Sequence, residues 1–536
     1  MSRSALLARL RVFFALAHHA EVRGQRDEEV LERTHDARRR ALLRAGALGA
    51  AGLTLAPRGV SAQTLPPAAR ASVTGDDPVV VVGAGLAGLT AAYRLRQAGV
   101  PVRVYEAGPR VGGRVSTRHG VFGGRHVELG GEFIDSGHTS IRRLAGELGV
   151  PLRDLLADDA RDRLIPEVFD FGGRVYTDAE VLEAFRPLAR RIGADLAALD
   201  VESVSHLTPG NAAGLDRTSL HDYLDRPDVP PFLRDLIEVA YVTEYGLEAT
   251  EQSSLNLSYL IGTSPERFEI FGASDMRYTA EEGNGAIPQR LGQALAQDLD
   301  LGARLEALSR GSDGRYTLTF ARGASSQEVR ASRVILALPF SVLRGVALRL
   351  PLPEVKRRAI ETIGYGTNAK LIAGFSERVW RTRHRSNGYT YSDRTFQTTW
   401  ESSRTLAASG PTGALTNFVG GRRGLEVGTG SAEAHTAAWL TEMEAIYPGI
   451  GAARDRAPAL RAHWPSHPLS RGSYSAYRVG QWTTIGGAEA EPVDGLHFAG
   501  EHTGGAFQGF MEGACASGER AAAEVLAALG SRRVPG

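Results

Sequence analysis

The chain has 536 residues, of which 43% are hydrophobic and 23% charged, and its 62 basic residues nearly balance its 61 acidic ones. This composition excludes a chain that is disordered throughout, and a formal net charge of +1 gives no reason to expect a nucleic-acid or membrane-surface partner. The single cysteine, Cys515, cannot form an internal disulfide, and no spacing of Cys with His predicts a metal site.

Residues 1–70 are predicted to form a leader. The basic run Arg38-Arg39-Arg40 precedes a weakly hydrophobic stretch over 45–56 and the small residues Val60-Ser61-Ala62. This pattern predicts a twin-arginine-type signal, recognised by the Tat export machinery, and a protein that is exported to the periplasm or secreted. A basic amphipathic helix followed by a linker is the alternative. The hydrophobic stretch is too short for a membrane span, which needs about 20 residues.

A strand, a glycine-rich turn and a helix are predicted in succession from Val79. The β-branched run Val79–Val82 leads into Gly83-Ala84-Gly85-Leu86-Ala87-Gly88, and a second strand ends at Glu106. In this order the first glycine permits a tight turn, the second lets a pyrophosphate approach, and the third lets the helix pack on the strand. Glu106 lies 18 residues after Gly88, where an acid binds ribose hydroxyls and repels a 2′-phosphate. The ligand is therefore FAD or NAD rather than NADP, unless the glycines mark an ordinary turn.

The second half of the chain contains two further groups of elements that fit the same domain. Leu305–Leu308, the alternating residues after Gly314 and the apolar run 334–338 predict a meander that returns to the main sheet. Leu496–Thr503 predicts a buried strand, followed after Gly509 by a helix rich in small residues. Such a helix can approach a flat ring closely, and its positive end can stabilise negative charge on that ring.

Three motifs carry a resemblance to a known family. They are Arg110-Val111-Gly112-Gly113-Arg114, Glu128-Leu129-Gly130-Gly131-Glu132-Phe133-Ile134 and Gly509-Phe510-Met511-Glu512-Gly513-Ala514. With these motifs the sequence resembles the flavin-containing amine oxidases, a family of monoamine, polyamine and L-amino-acid oxidases. The resemblance covers nearly all of residues 76–530 and selects FAD as the cofactor.

The resemblance implies a set of cofactor-binding residues. Arg114 would contact the pyrophosphate, Glu501 the ribityl chain, and the backbone of Met511 the pyrimidine edge, while the backbone of Leu305 would hold the adenine. The whole set is Gly83, Gly85, Leu86, Ala87, Gly88, Glu106, Ala107, Arg110, Gly113, Arg114, Gly130, Gly131, Glu132, Phe133, Leu305, Gly500, Glu501, Gly509, Phe510 and Met511.

A flavin that oxidises amines needs an apolar space in front of its ring, because hydride leaves only from the neutral amine. In the resembling family two aromatic rings face each other there, and their motif positions fall on Tyr474 and Phe510. Trp464, ten residues before Tyr474, matches a family tryptophan beside the flavin. Each of these aromatic residues could instead belong to the core.

Lysine is almost absent from the sequence, with Lys356 and Lys370 as its two examples. Lys370 precedes an apolar strand and matches the family lysine that bonds a water at flavin N5 and assists reoxidation by dioxygen. A lysine supplies a compact donor whose pKa can change on burial, which an arginine does not. We therefore place Lys370 in the active site, and we interpret Lys356, beside two arginines, as a surface residue.

Two positions refine the chemistry. In mitochondrial monoamine oxidases, a cysteine joined to the flavin precedes the first of the two facing aromatic residues. This chain has Ser473 at that position, directly before Tyr474, which predicts that FAD is bound non-covalently. L-amino-acid oxidases of the family have a carboxylate-binding arginine where this chain has Phe133, which favours an amine without an α-carboxylate. Arg277 or Arg471 could replace that arginine. Glu132 could attract a cationic amine or act as a structural partner.

The predicted fold class is α/β, with a Rossmann-like FAD-binding domain and a discontinuous α+β substrate domain. Residues 76–136, 276–350 and 486–530 are assigned to the first domain, and 137–275 and 351–485 to the second. The predicted function is oxidation of an amine to an imine, hydrolysis of the imine, and reoxidation by dioxygen to give hydrogen peroxide. An L-amino-acid oxidase and a non-catalytic flavin-binding redox protein are the alternatives. A cytochrome or quinone could replace dioxygen as the electron acceptor. The sequence does not decide whether the protein is a homo-oligomer.

Overall fold

The computed structural model describes residues 78–403 and 410–530. The predicted export signal and its cleavage site lie outside these residues. Within them, no helix is both long enough and apolar enough to cross a bilayer.

A five-stranded parallel sheet is built around the first predicted strand. Its strands, in spatial order, are Leu496–Phe498, Val334–Leu336, Val79–Val82, Val102–Glu106 and Leu299–Leu301. Every neighbouring pair is parallel. The four residues of Val79–Val82 are all buried, as expected for a central strand with both faces covered. The predicted Rossmann-like α/β fold is thereby confirmed.

Two further sheets and three strand pairs complete the β-structure of the described residues. The four-stranded sheet consists of Ser325–Ala331, Tyr316–Arg322, Arg304–Arg310 and Ala347–Arg349. The seven-stranded sheet consists of Leu460–His463, Ala369–Phe375, Gly413–Val419, Thr398–Glu401, Thr390–Ser392, Val168–Phe171 and Arg174–Tyr176. The pairs are Thr117–Val121 with Arg125–Glu128, Leu152–Asp154 with Tyr278–Ala280, and Gly364–Tyr365 with Ser475–Ala476.

The helices surround these sheets. Their bounds are Leu86–Gln97, Thr139–Glu147, Leu155–Asp162, Asp178–Ala197, Ala213–Arg217, Leu220–Leu224, Pro231–Tyr245, Ser254–Leu260, Ala286–Ala294, Phe340–Leu343, Glu354–Thr362, Val379–Thr382, Gly421–Glu426, Ala432–Met443, Gln481–Thr484 and Met511–Gly530. Short 3₁₀ helices cover Ala488–Ala490, Glu501–Thr503 and Gly505–Phe507.

Strands of the parallel sheet come from each of the three segments assigned to FAD binding. The seven-stranded sheet takes its strands from 168–176 and 369–463, which belong to the two segments assigned to the substrate. The proposed domain boundaries themselves stay a prediction.

The parallel sheet separates two apolar cores. Val79 and Val81 point to one core, together with the first and last helices, while Val80 and Val82 point to the other. The small residues of the last helix mainly allow contact with the helix Leu86–Gln97, since a side chain at Gly518 would collide with the carbonyl oxygen of Ala87. That this helix also approaches a flat ring stays a prediction, and its residues Met511 and Ala514 line the cavity described below.

Candidate active site

A cavity of about 410 Å³ opens at the carboxyl ends of the parallel strands. Its wall includes Gly83, which follows the first strand, Glu106, which ends the second, and Gly500, which closely follows Leu496–Phe498. In open parallel sheets, ligands bind at this edge, where the strand order reverses. The cavity therefore lies where the sequence predicts a dinucleotide.

The three glycines of the first turn have different surroundings. Gly83 has φ of +103°, and a Cβ there would lie 2.7 Å from the carbonyl oxygen of Ala337. Gly85 has an ordinary extended backbone and would place its Cβ in open space within the cavity. Gly88 packs on the backbone of Gly83 and lies off the cavity wall. Gly85 thus provides the close approach to a ligand, and Gly88 the contact between helix and strand.

Glu106 is held at the cavity edge by backbone donors. One carboxylate oxygen accepts from the N–H of Ala84 and the other from the N–H of Gly108, each at 2.7 Å. Each oxygen retains a second lone pair, so the carboxylate can still accept from ribose hydroxyls.

Arg114 and Glu501 form an ion pair across the cavity wall. The Arg114 guanidinium donates to Glu501 at 2.8 Å and to the carbonyl oxygen of Ser473 at 2.7 Å. Burial by itself would raise the pKa of Glu501, but the positive charge of Arg114 and other neighbours lower it below the ordinary value. The pair joins the two ends of the sequence, since its members are 387 residues apart.

The second glycine pair is required by close packing. A Cβ at Gly130 would collide with the carbonyl oxygen of Arg114 and lie 3.2 Å from the indole of Trp464. A Cβ at Gly131 would lie 2.8 Å from the sulfur of Met511. These glycines allow the chain to pass between residues that all line the cavity.

Every predicted cofactor-binding residue except Gly88 lines this one cavity, together with Lys370, Trp464 and Tyr474. The structure therefore brings together residues that are spread over more than 400 positions of the chain.

Lys370 is buried in the strand Ala369–Phe375. Its ammonium donates to the carbonyl oxygens of Glu128 at 3.0 Å and Gly130 at 2.8 Å, and to the Glu132 carboxylate at 2.7 Å. These three acceptors match the three hydrogens of an ammonium, so a water molecule that bonds Lys370 has to replace one of them. Glu132 is thus the ion-pair partner of Lys370.

The predicted aromatic residues are held by contacts with neighbouring residues. The hydroxyl of Tyr474 donates to the carbonyl oxygen of Thr243 at 3.1 Å. The indole N–H of Trp464 donates to the carbonyl oxygen of Leu129 at 3.0 Å. The ring of Phe510 packs against that of His138, with centroids 5.4 Å apart. All three side chains line the cavity, which fits rings that bound a space rather than fill the core.

A second group of cavity residues has no counterpart in the sequence analysis. They lie on the segments 243–276 and 389–418, namely Thr243, Glu244, Tyr245, Phe271, Ser274, Met276, Tyr389, Thr398, Trp400 and Phe418. Trp400 lies 5.4 Å from the Lys370 ammonium and packs against Phe133. They come from a helix end, a loop and strands far apart in the sequence, so no local motif could reveal them.

The interpretation of Lys356 as a surface residue is wrong. Lys356 is buried. Its ammonium lies 3.9 Å from the centre of the Phe498 ring and donates to the carbonyl oxygen of Glu489 at 3.0 Å. Burial lowers the pKa of Lys356 to about 7, with nearby glutamates opposing the change. The neighbouring residues Arg357 and Arg358 point elsewhere because successive side chains of a helix differ in direction by about 100°.

The cavity fits FAD in shape and in donors. It runs without interruption from Glu106 at the parallel sheet to Trp400 on the seven-stranded sheet, and Gly85 leaves room for a pyrophosphate. The helix Met511–Gly530 begins at the cavity wall, which Met511 and Ala514 line, and the N-terminus of a helix favours negative charge.

Comparisons with known proteins agree with this geometry. The family model described as flavin containing amine oxidoreductase matches residues 86–526. The L-amino acid dehydrogenase of Synechocystis sp. is 25% identical over 494 residues, which are 87% of this chain and 98% of that protein. The flavin-containing amine oxidase A of Equus caballus is 24% identical over 470 residues, covering 84% and 85% of the two chains. The solved structure of a putrescine oxidase triple mutant superimposes with a TM-score of 0.73 at 24% identity, covering 84% of this chain and 99% of that one.

Proposed function

The chain belongs to the flavin-containing amine oxidoreductases, and from that premise we propose that it oxidises amines that carry no carboxylate beside the reacting nitrogen. Membership of this family makes the protein an enzyme with FAD as its cofactor. Bound FAD would supply the redox chemistry: it would accept a hydride from the carbon beside nitrogen as the N–H proton leaves, and dioxygen would take up the two electrons and two protons to give hydrogen peroxide beside the imine.

The part of the cavity wall built by 243–276 and 389–418 carries the proposal about substrate. Its ten residues include no arginine or lysine, and Glu244 is their single charged side chain. Phe133, at the position of the family's carboxylate-binding arginine, lines the same cavity. Arg277, one of the two predicted replacements, binds Asp154 and does not line the cavity, while Arg471 lines it but is exposed. An α-carboxylate would therefore lack a partner in this part of the wall.

The residues around the reacting carbon would act mainly by shape and by excluding water. Tyr474 and Phe510 bound the space in which the amine lies, and neither supplies a charge that would hold the amine protonated. A neutral amine keeps the lone pair that hydride loss requires. Imine hydrolysis then takes place with water after release, with no group of the chain assigned to it.

An L-amino-acid oxidase is the second candidate, and the name of the Synechocystis relative supports it. Because that relative is named a dehydrogenase rather than an oxidase, its name also supports an electron acceptor other than dioxygen. Export to the periplasm or beyond the cell belongs to our proposal as well, supported by the residue pattern over 38–62.

Anaerobic mixing of the purified yellow protein with substrate panels tests the proposed function. We expect primary or secondary amines or polyamines to bleach the flavin, and L-amino acids to bleach it more slowly than the amines that lack their carboxylate. Faster bleaching by L-amino acids would favour the second candidate. Failure of every amine and amino acid to bleach the flavin would contradict both.

Acid precipitation tests how the cofactor is held. Ser473 lines the cavity, and its hydroxyl donates to the Asn368 side chain at 2.6 Å, while the single cysteine, Cys515, is buried in the last helix away from the cavity. A serine cannot form the thioether of the mitochondrial enzymes. We therefore expect all of the yellow colour in the supernatant, whereas colour that stays with the precipitate would contradict non-covalent binding.

A further inference from the structure

The ion pair between Arg114 and Glu501 holds the chain on both sides of Tyr474. One guanidinium nitrogen of Arg114 donates to Glu501 and also to the carbonyl oxygen of Ser473, which directly precedes the tyrosine. The Glu501 carboxylate accepts from Ser475, which directly follows the tyrosine, at 2.7 Å from its hydroxyl and at 3.3 Å from its backbone N–H. The two members of the ion pair therefore fix opposite flanks of this aromatic residue.

The same carboxylate holds the chain beside Phe510. It accepts from the backbone N–H of Gly509, the residue before Phe510, at 3.1 Å. Gly509 has φ of +89°, and a Cβ there would lie 3.8 Å from the ring of Tyr474, so its backbone lies beside that ring. Glu501 is thus hydrogen-bonded to one chain neighbour of each aromatic residue that bounds the substrate space.

These contacts use the acceptor capacity of the Glu501 carboxylate. An ionised carboxylate has about four lone-pair sites. Four groups donate to it, namely the guanidinium of Arg114, the N–H and the hydroxyl of Ser475, and the N–H of Gly509. A ribityl hydroxyl, the contact that the resemblance implies for Glu501, has to displace one of these donors. The geometry therefore gives Glu501 a role in the wall itself.

The positions of Tyr474 and Phe510 matter for the rate because hydride transfer requires a defined geometry. The reacting atoms have to approach to about 3–3.5 Å, and a misplacement of about 1 Å can cost about 100-fold in rate. The two rings bound the space for the amine, so a displacement of either ring also displaces the amine.

We propose that Arg114 and Glu501 are positioning residues, whose ion pair sets the separation of Tyr474 and Phe510 and thereby places the amine for hydride transfer. Arg114 also lines the cavity where the pyrophosphate is expected, so the pair joins the cofactor-binding wall to the substrate-binding wall. This assignment rests on the proposed function, since it concerns the amine between the two rings.

Ser475→Ala tests the proposal with a small change, because it removes one hydrogen bond to Glu501 and leaves the ion pair in place. We expect the rate of flavin reduction by amine, measured by anaerobic stopped flow with saturating FAD, to fall roughly 10-fold, because a hydrogen bond to a charged group contributes about that much. The rate of reoxidation by dioxygen and the affinity of the FAD-free protein for FAD should stay unchanged.

Ser386→Ala is the matched control. Ser386 is also a buried serine, and its hydroxyl lies 2.8 Å from the hydroxyl of Tyr447, off the cavity wall. Loss of this hydroxyl should leave both rates and the affinity for FAD unchanged. Any general effect of removing a buried hydroxyl, such as a lower unfolding temperature, appears in both variants.

Glu501→Gln is the stronger variant. The amino group of a carboxamide would face either Arg114 or Gly509, and both of these are donors, so one side of the arrangement is released. We expect flavin reduction to slow by a larger factor than in Ser475→Ala, while reoxidation keeps its rate. Ser475→Ala decides the question if the Glu501→Gln protein does not fold.

The outcomes separate this inference from the proposed function. Unchanged flavin reduction in Ser475→Ala, equal slowing of reduction and reoxidation, or a loss of FAD affinity with unchanged reduction would each overturn the positioning role alone. The last of these results would instead assign Ser475 and Glu501 to the cofactor. If no amine reduces the flavin of the unaltered enzyme, the proposed function fails and the positioning role fails with it.

Discussion

Gly85→Val is expected to weaken FAD binding and to leave the protein folded. The backbone of Gly85 has φ of −70° and ψ of 174°, which any residue adopts, and no other atom lies within 4 Å of the position of its Cβ. The added side chain would therefore extend into the cavity at the place where the pyrophosphate should pass the backbone. Crowding of this kind costs about 1–3 kcal/mol or more, so we expect an affinity loss of about 5- to 160-fold or greater.

We would measure the FAD content of the purified variant and its affinity for FAD in a reconstitution titration. Thermal unfolding of the protein after FAD removal tests whether the variant is folded. Gly137→Val is the matched control, because Gly137 is exposed, has free space around its Cβ and lies off the cavity wall. A Gly85→Val protein that retains FAD at unaltered affinity would show that the pyrophosphate lies elsewhere.

Lys370→Met is expected to slow reoxidation of the flavin by dioxygen much more than reduction of the flavin by amine. Dioxygen becomes negatively charged as it is reduced, and a fixed ammonium in a buried site stabilises that charge. Loss of one such electrostatic group costs on the order of 100-fold in rate. Stopped-flow measurements of the two half-reactions, each under single-turnover conditions, separate the effects.

The ion pair with Glu132 sharpens this prediction. Glu132→Gln leaves the Lys370 charge uncompensated and weakens its hold on one ammonium hydrogen, so reoxidation should be as fast as in the unaltered enzyme or faster. Lys356→Met is the control for loss of a buried lysine, since Lys356 lies off the cavity wall, and it should leave the ratio of the two rates unchanged. Equal slowing of both half-reactions in Lys370→Met would remove the proposed role.

The nucleotide-binding edge of the fold could be predicted because its signals are local. A short run of valines favours a buried parallel strand, and glycine spacing indicates where a backbone must pass close to another group. Gly83 has the positive φ that this turn requires, and Gly88 allows the contact between helix and strand. The acid at the end of the second strand, Glu106, lies at the cavity edge for the same reason.

The substrate side of the cavity could not be predicted in the same way. Strand Val168–Phe171 pairs with Thr390–Ser392, more than 200 residues later, and this pairing brings Tyr389 and Trp400 to the wall. Glu244 lies in a helix without a motif around it, so no local signal in the sequence indicates that it lines the cavity. Lys356 shows the converse error, because two neighbouring arginines in sequence do not place a lysine at the surface.

We propose that residues from both halves of the chain enclose one FAD, whose ring faces an amine between Tyr474 and Phe510. A crystal structure of the protein with its FAD and a slowly reacting amine would show this arrangement. We expect the pyrophosphate beside Gly85, the flavin ring near Lys370 and Trp464, and the amine carbon facing the ring between the two aromatic side chains. A flavin bound outside this cavity, or a ring whose reacting face is covered by protein side chains, would contradict the claim.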